Sequence, residues 1–235
     1  AIRKTFPDPE TGLLRVLNDG QPQAPTTYDS AQILLSGLLD EGAGRQLAGR
    51  MFGPGVTPIR APFHGMHTLL GLFRYGEDQR ALDFTRNYWG GMIDRGATTY
   101  WDNFSTEWPE GVQPDRQTSL CHGWAAAPGY ALPAHVLGVR PAQPGFTRAL
   151  ISPQPGDLPW ARGTVPTPLG EILVHWEKTP RRFALEVTLP PGCDATVALP
   201  AFTGSPASVL HNGQPAGEAL TREVEAGRHE FIVTI

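Results

Sequence analysis

The hydrophobic period of this chain changes once, near Gly138-Val139-Arg140-Pro141, from about 3.6 residues to about 2, and a single layered domain does not tolerate such a change easily. Before that point the apolar residues recur at helical spacing. Ala31, Ile33, Leu34, Leu35, Leu38 and Leu39 predict a helix over 28–41, with Asp29 or Ser30 capping its first turn and Gly42 beyond its end. Further helices are predicted over 44–52, 63–75 and 78–93, and a last one over 119–137 that Pro128 and Pro133 should kink or split. The residues from 101 to 118 read as a loop of the length that usually carries function.

After residue 138 the pattern is that of half-buried strands. Phe183, Leu185, Val187 and Leu189 alternate with Ala184, Glu186 and Thr188, and a shorter strand over 195–199 follows the Pro190-Pro191-Gly192 turn. Strands are also predicted over 146–152, 158–165, 171–177, 207–210 and 229–235, and Asn212-Gly213 is a hairpin signal. About six to eight short strands in roughly 100 residues predict an antiparallel sandwich or jelly roll. The expected organisation is a helical domain over 1–137 and a β-domain over 138–235.

Composition narrows the function classes. With 40% hydrophobic and 18% charged residues the chain can bury a core, which argues against disorder. A formal net charge of -4, with no basic cluster beyond Arg181-Arg182, argues against a nucleic-acid partner. No apolar run approaches the roughly 20 residues that a membrane span needs. The chain starts at Ala1 without methionine, so localisation, cytoplasmic or secreted, stays open. Cys121 and Cys193 lack metal-ligand spacing, and His64 and His67 lack an evident third ligand, so neither a metal nor a cofactor is expected.

The run Gly96-Ala97-Thr98-Thr99-Tyr100-Trp101-Asp102-Asn103-Phe104 carries the chemistry. It sets one carboxylate among aromatics, after a tight corner, with Trp89, Trp108, His122 and Trp124 nearby in sequence. Sugar chemistry needs that combination: an acid or base, and flat apolar faces on which a pyranose can stack. Without further context, Asp102 reads more readily as a surface carboxylate beside core tryptophans than as a functional one. Glu107 and Glu110 are fallback carboxylates on the same loop. Trp160 and Trp176 fall in strand sequence and read as sandwich core, whereas an exposed pair would indicate carbohydrate binding. Neither a phosphate-binding glycine loop nor a Gly-x-Ser-x-Gly elbow occurs.

Several motifs occur together in order: Trp89-Gly90-Gly91-Met92, Gly-Ala-Thr-Thr-Tyr-Trp-Asp at 96–102, Ser119-Leu120-Cys121-His122-Gly123-Trp124, Leu137 to Pro141, Ile151-Ser152-Pro153-Gln154, and Gly163 to Gly170. In that order the sequence, over roughly residues 28–235, resembles the C-terminal half of bacterial α-L-rhamnosidases of glycoside hydrolase family 78. The resemblance implies a partial (α/α)6 barrel of the six-hairpin glycosidase type over 1–137, followed by a C-terminal antiparallel β-sandwich domain. It implies Asp102 as the catalytic base, where the family usually has Glu, and Trp89, Trp101, His122 and Trp124 as substrate-binding residues. The general acid would belong to the missing barrel half, so the chain alone should be inactive. Its partners would be a carbohydrate substrate and either that missing N-terminal part or a second copy. The alternative is a non-catalytic carbohydrate-binding or structural module.

Overall fold

The computed structural model describes residues 13, 17–18, 21–22, 27–53, 56–109, 111–112, 114, 118–201 and 208–234. The chain divides into two compact units, residues 1–129 and 130–235.

The first unit pairs two short strands, β1 (Leu17–Asn18) and β2 (Gln21–Pro22), and most of its other described elements are helices. Helix α1 (Thr27–Ser36) stops earlier than its apolar pattern predicts, because Gly37 takes φ 75° and turns the chain out of the helix. Leu38 is left 60% exposed as a result. Helix α2 (Glu41–Arg50) starts correspondingly early, at Asp40, whose carboxylate accepts the Ala43 N–H at 2.8 Å. Gly42 is therefore a first-turn residue of α2 rather than the end of α1. Helix α3 (Pro62–Arg74) opens on proline, where the missing N–H has no partner to lose. Its Gly71 faces Leu34 of α1 so closely that a Cβ there would lie 2.8 Å from the Leu34 side chain.

The helix expected over 78–93 is interrupted. Helix α4 (Asp78–Thr85) widens into a π-helical turn over Arg86–Gly90 before α5 (Gly91–Asp94). The wider turn lets two consecutive aromatics, Tyr88 and Trp89, both face the core, at 1% and 4% exposure.

The expected final helix over 119–137 forms only in its second half. Residues 119–122 are not helical, and a 3₁₀ turn over Gly123–Ala125 leads into α6 (Ala127–Ala131) and a π-helical turn over Leu132–Val136. Pro128 sits in the first turn of α6, where it costs nothing, and Pro133 lies inside the wide turn closed by Leu137 N–H on the Leu132 carbonyl at 2.9 Å. These last turns belong with the strands. The Trp176 indole donates to the Val136 carbonyl at 2.9 Å and Arg140 donates to the Ala134 carbonyl at 2.6 Å. That is why the unit boundary falls at 129/130, ahead of the change in hydrophobic period.

The second unit contains two sheets. Strands β5 (Trp160–Thr167), β6 (Gly170–Thr179), β7 (Arg182–Leu189), β9 (Ser208–His211), β10 (Gln214–Pro215) and β12 (Gly227–Thr234) form one, in the antiparallel order β10-β9-β12-β7-β6-β5. Strands β3 (Val139–Pro141), β4 (Arg148–Ile151), β8 (Asp194–Ala198) and β11 (Thr221–Val224) form the other, in the order β11-β8-β4-β3, with β4 and β8 parallel. The alternation seen in the sequence is the alternation of burial. Phe183, Leu185 and Val187 are at most 1% exposed, as are Ile172, Val174, Trp176, Phe231 and Val233 on neighbouring strands. Asn212 and Gly213, at φ 50° and 76°, close the β9–β10 hairpin as its turn type requires. The predicted strands over 207–210 and 229–235 are shifted slightly; residues 207 and 235 lie outside the described residues.

His135 gives this unit a pH dependence. Burial, and then the neighbouring Arg140 cation, hold its imidazole down to about 4, against the opposing hydrogen bond to Gln154 at 2.7 Å. Between that value and the ordinary one of about 6.5 the unfolded chain binds more protons, so stability rises with pH across this window and is lost as pH falls through it. Urea unfolding is expected to lose about 2 kcal/mol between pH 7 and pH 5, and His135→Gln should flatten that slope.

Candidate active site

The left-handed turn at Gly96 builds the site. Gly96 takes φ 85° and its N–H bonds to the Ile93 carbonyl at 2.8 Å, which ends α5 and releases an extended strap. The strap is pinned on both sides. Asp102 N–H donates to the Ser119 carbonyl at 2.9 Å, His122 N–H donates to the Tyr100 carbonyl at 2.8 Å, and the Thr99 hydroxyl donates to the Leu120 carbonyl. Further along, the Arg60 carbonyl accepts both the Phe104 N–H, at 3.0 Å, and the Tyr88 hydroxyl, at 2.6 Å.

Bends along the strap sort its side chains. Trp101 and Phe104 turn into the core, at 3% and 0% exposure, and Asp102 keeps a side chain 34% exposed. Its Oδ1 accepts the Trp124 indole N–H at 2.8 Å and lies 3.7 Å from His122 Nε2. The His122 and Trp124 rings are 4.4 Å apart, so the pairing of 99–102 with 119–122 brings carboxylate, imidazole and indole into one cluster.

A wall of rings continues from there. Phe63 lies 5.6 Å from Trp124, His67 lies 4.8 Å and His64 5.3 Å from Phe63, and Tyr28 lies 4.4 Å from His64. His67 Nδ1 is 3.0 Å from the Phe63 carbonyl, a contact that fixes the ring when that nitrogen carries the proton. The His64 imidazole is held below its usual range by burial and then by His67, against the opposing charge of Asp29. Tyr88, pushed far above the usual phenol range by burial, then by Tyr28 and Asp102, stays protonated and serves as a donor.

The sequence expectations divide accordingly. Asp102, His122 and Trp124 converge. Trp89 and Trp101 are core residues: Trp89 donates its indole N–H to the Ala125 carbonyl at 2.8 Å, which fixes the turn that presents Trp124. Trp101, being buried, shares no concavity with Asp102 that solvent reaches. Glu107 is exposed and Glu110 lies outside the described residues. Phe63, His64, His67 and Tyr28 were legible only as helix, and His67 and His64 only as an incomplete metal pair. No group of three His, Cys, Asp or Glu among the described residues could hold a metal ion, and no helix among them is long and apolar enough to cross a membrane.

A cavity of about 660 Å³ lies elsewhere in this unit, among Phe52, Ile59, Phe84, Tyr88, Arg95 and Phe104. The Asp102 cluster is an open face. Trp124 is 53% exposed, and the charged oxygen of Asp102 meets two polar groups from one side only. Such a face supplies a fixed carboxylate beside exposed ring faces, an arrangement suited to proton transfer and to stacking on an apolar face.

Known proteins resemble the chain over much of its length. Residues 138–214 match the bacterial alpha-L-rhamnosidase C-terminal domain. The chain is 33% identical over 149 residues to an alpha-L-rhamnosidase of Alteromonas sp. (strain LOR), a match covering 63% of the chain and 16% of that relative. It is 33% identical over 123 residues to one of Formosa agariphila, covering 51% of the chain and 13% of the relative. Among solved structures, a family 78 rhamnosidase of Bacillus sp. GL1 superposes with a TM-score of 0.70 at 29% identity, over 85% of this chain and 22% of that one. The Streptomyces avermitilis alpha-L-rhamnosidase complexed with L-rhamnose superposes with a TM-score of 0.73 at 23% identity, over 99% of this chain and 23% of that one. The chain thus resembles a C-terminal portion of α-L-rhamnosidases and spans about one sixth of the Alteromonas relative.

Proposed function

We propose that the chain is the C-terminal portion of an inverting α-L-rhamnosidase-like glycoside hydrolase that releases terminal α-L-rhamnose from glycosides or polysaccharides. The helical unit contributes part of an (α/α)6 barrel, and the second unit is the C-terminal β-sandwich domain. The observation that carries this reading is the Asp102–Trp124–His122 cluster, set at the base position of the family motif by a strap that buries Trp101 and turns Asp102 outward.

Asp102 accepts a proton from water as that water attacks the anomeric carbon, and the leaving oxygen takes its proton from an acid elsewhere in the parent protein. Inverting enzymes hold the two carboxyls roughly 6.5–9.5 Å apart to admit the water. The Trp124 indole fixes one carboxylate oxygen, which leaves Oδ2 for the water, while His122 is placed to meet a sugar hydroxyl. Phe63 and Trp124 offer the apolar faces.

The test is an assay of the full-length parent on a panel of aryl glycosides, with the first-formed product read by NMR. The reading expects cleavage of α-L-rhamnoside with β-L-rhamnose appearing first. Absence of cleavage, or α-product first, sinks it. A second expectation concerns Trp124. In the parent, Trp124→Phe keeps an aromatic face but removes the donor that aims Asp102, and kcat should fall about 10–100-fold with a smaller change in KM. Steady-state kinetics with kcat unchanged would show that the indole does not position the carboxylate.

A further inference from the structure

Of the two tryptophans in the strand unit, only one is core. Trp176 is fully buried between the sheets' apolar side chains, whereas Trp160, the first residue of edge strand β5, is 60% exposed. An indole left in water forgoes a large burial energy, and here its neighbours on the same face are not random.

The outward face of the six-stranded sheet can be read in rows from the strand register. Trp160 lies opposite Glu177; Arg162 lies opposite His175, which lies opposite Glu186; Thr164 lies opposite Leu173, which lies opposite Thr188. The residues between them on β6, Ile172, Val174 and Trp176, point the other way and are at most 1% exposed, which fixes the orientation of the rows. Between the rows is a depression of about 470 Å³ bounded by Arg162, Thr164, Leu173, His175, Glu186 and Thr188. That is within the roughly 300–1,000 Å³ of ordinary small-ligand sites.

The polar groups in it are held in place. His175 Nε2 lies 3.6 Å from Glu177 Oε1, and Arg228 donates to Glu186 at 3.1 Å. The Arg162 guanidinium makes no hydrogen bond or ion pair with any described residue, so its fork of donors is available to a ligand. The formal charges of Arg162 and Arg228 offset those of Glu177 and Glu186, so the face does not select a polyanion. Paired donors and acceptors beside one exposed indole complement a neutral polyol.

We propose that this face of β5–β7 is a saccharide-binding surface, on which Trp160 stacks on one pyranose of a neutral polysaccharide while Arg162, His175 and Glu186 hydrogen-bond the hydroxyls of the next. Residues two apart on a strand face are about 6.8 Å apart and neighbouring strands about 4.8 Å, a grid on which successive sugar rings fit. The surface holds the polymer; it cleaves nothing. That the polymer carries rhamnose rests on the function proposed above, whereas the binding chemistry does not.

The intact 235-residue chain is run by affinity electrophoresis in gels containing a soluble neutral rhamnan, a neutral glucan, or polygalacturonate. Retardation by a neutral polymer is expected, and Trp160→Ala or the pair Arg162→Ala with His175→Ala should weaken it about tenfold. Asp102→Asn should leave it unchanged. Melting curves matched to the unsubstituted chain show that the exposed positions have not disturbed the fold. Equal retardation of Trp160→Ala, retardation by polygalacturonate alone, no retardation in any gel, or loss only with Asp102→Asn each overturns the proposal. Retention by glucan alone that depends on Trp160 upholds the surface and separates it from the rhamnosidase reading, which stands or falls on the parent's assay.

Discussion

Asp102→Asn in the full-length parent lowers kcat for α-L-rhamnoside hydrolysis about 10²–10⁴-fold and leaves ground-state binding of the sugar nearly intact. The amide preserves shape and still accepts the Trp124 indole N–H through its carbonyl oxygen, so the packing around 2.8 Å contact is retained. What it removes is the ability to take a proton from water. Asp102→Glu separates charge from position: the carboxylate survives but is displaced from the indole by one methylene. A misplacement of that order costs about a hundredfold at most. The expected ranking of kcat is therefore Asp above Glu above Asn. Asn at the parent's rate would remove Asp102 from the mechanism, and Glu above Asp would mean that the strap seats the longer residue that the family usually carries.

The site was legible in part because its chemistry is local in sequence. Gly96, Asp102, His122 and Trp124 fall within two short runs, and the backbone pairing of those runs brings them together. The helical reading of 119–122 hid that pairing, since Leu120 and Trp124 repeat at helical spacing although backbone hydrogen bonds to Tyr100 and Asp102 hold the segment out of a helix. Propensity gave way to tertiary hydrogen bonds. Trp89 and Trp101 carry the opposite lesson. An indole beside a candidate carboxylate looks like a stacking platform in sequence, yet the bends of the strap and the π-helical turn after α4 send both inward. Phe63 and His67 could be found only once α3 was placed beside Trp124.

The strands were legible for a different reason. A period of 2 with buried faces leaves little freedom of register, so Phe183 to Leu189 and the Asn212-Gly213 turn could be read directly. Strands β3 and β11 were not, because Val139–Pro141 and Thr221–Val224 are too short and too polar to show alternation. Their pairing to β4 and β8 defines them, and that pairing is not visible in the short segments themselves.

Assayed by itself, the 235-residue chain should cleave α-L-rhamnosides at less than about one hundredth of the parent's rate and should associate with itself. On the proposed mechanism the proton donor for the leaving oxygen lies outside these residues, and one positioned acid is worth typically 10²–10⁴-fold. The chain spans 16% of the Alteromonas relative, and the Asp102 cluster forms a single open wall that cannot exclude water from a reacting sugar. On the proposed function the helical unit is part of a larger barrel. Leu38, Phe52 and Ile93 are 60%, 45% and 69% exposed, apolar area that further barrel hairpins would then cover in the parent. In their absence a second copy is the nearest apolar surface available. Equimolar assays of chain and parent read the first effect, and sedimentation velocity across a concentration series reads the second. A monomeric chain turning over at the parent's rate would show that the acid lies within these residues and that Asp102 already stands in a complete pocket.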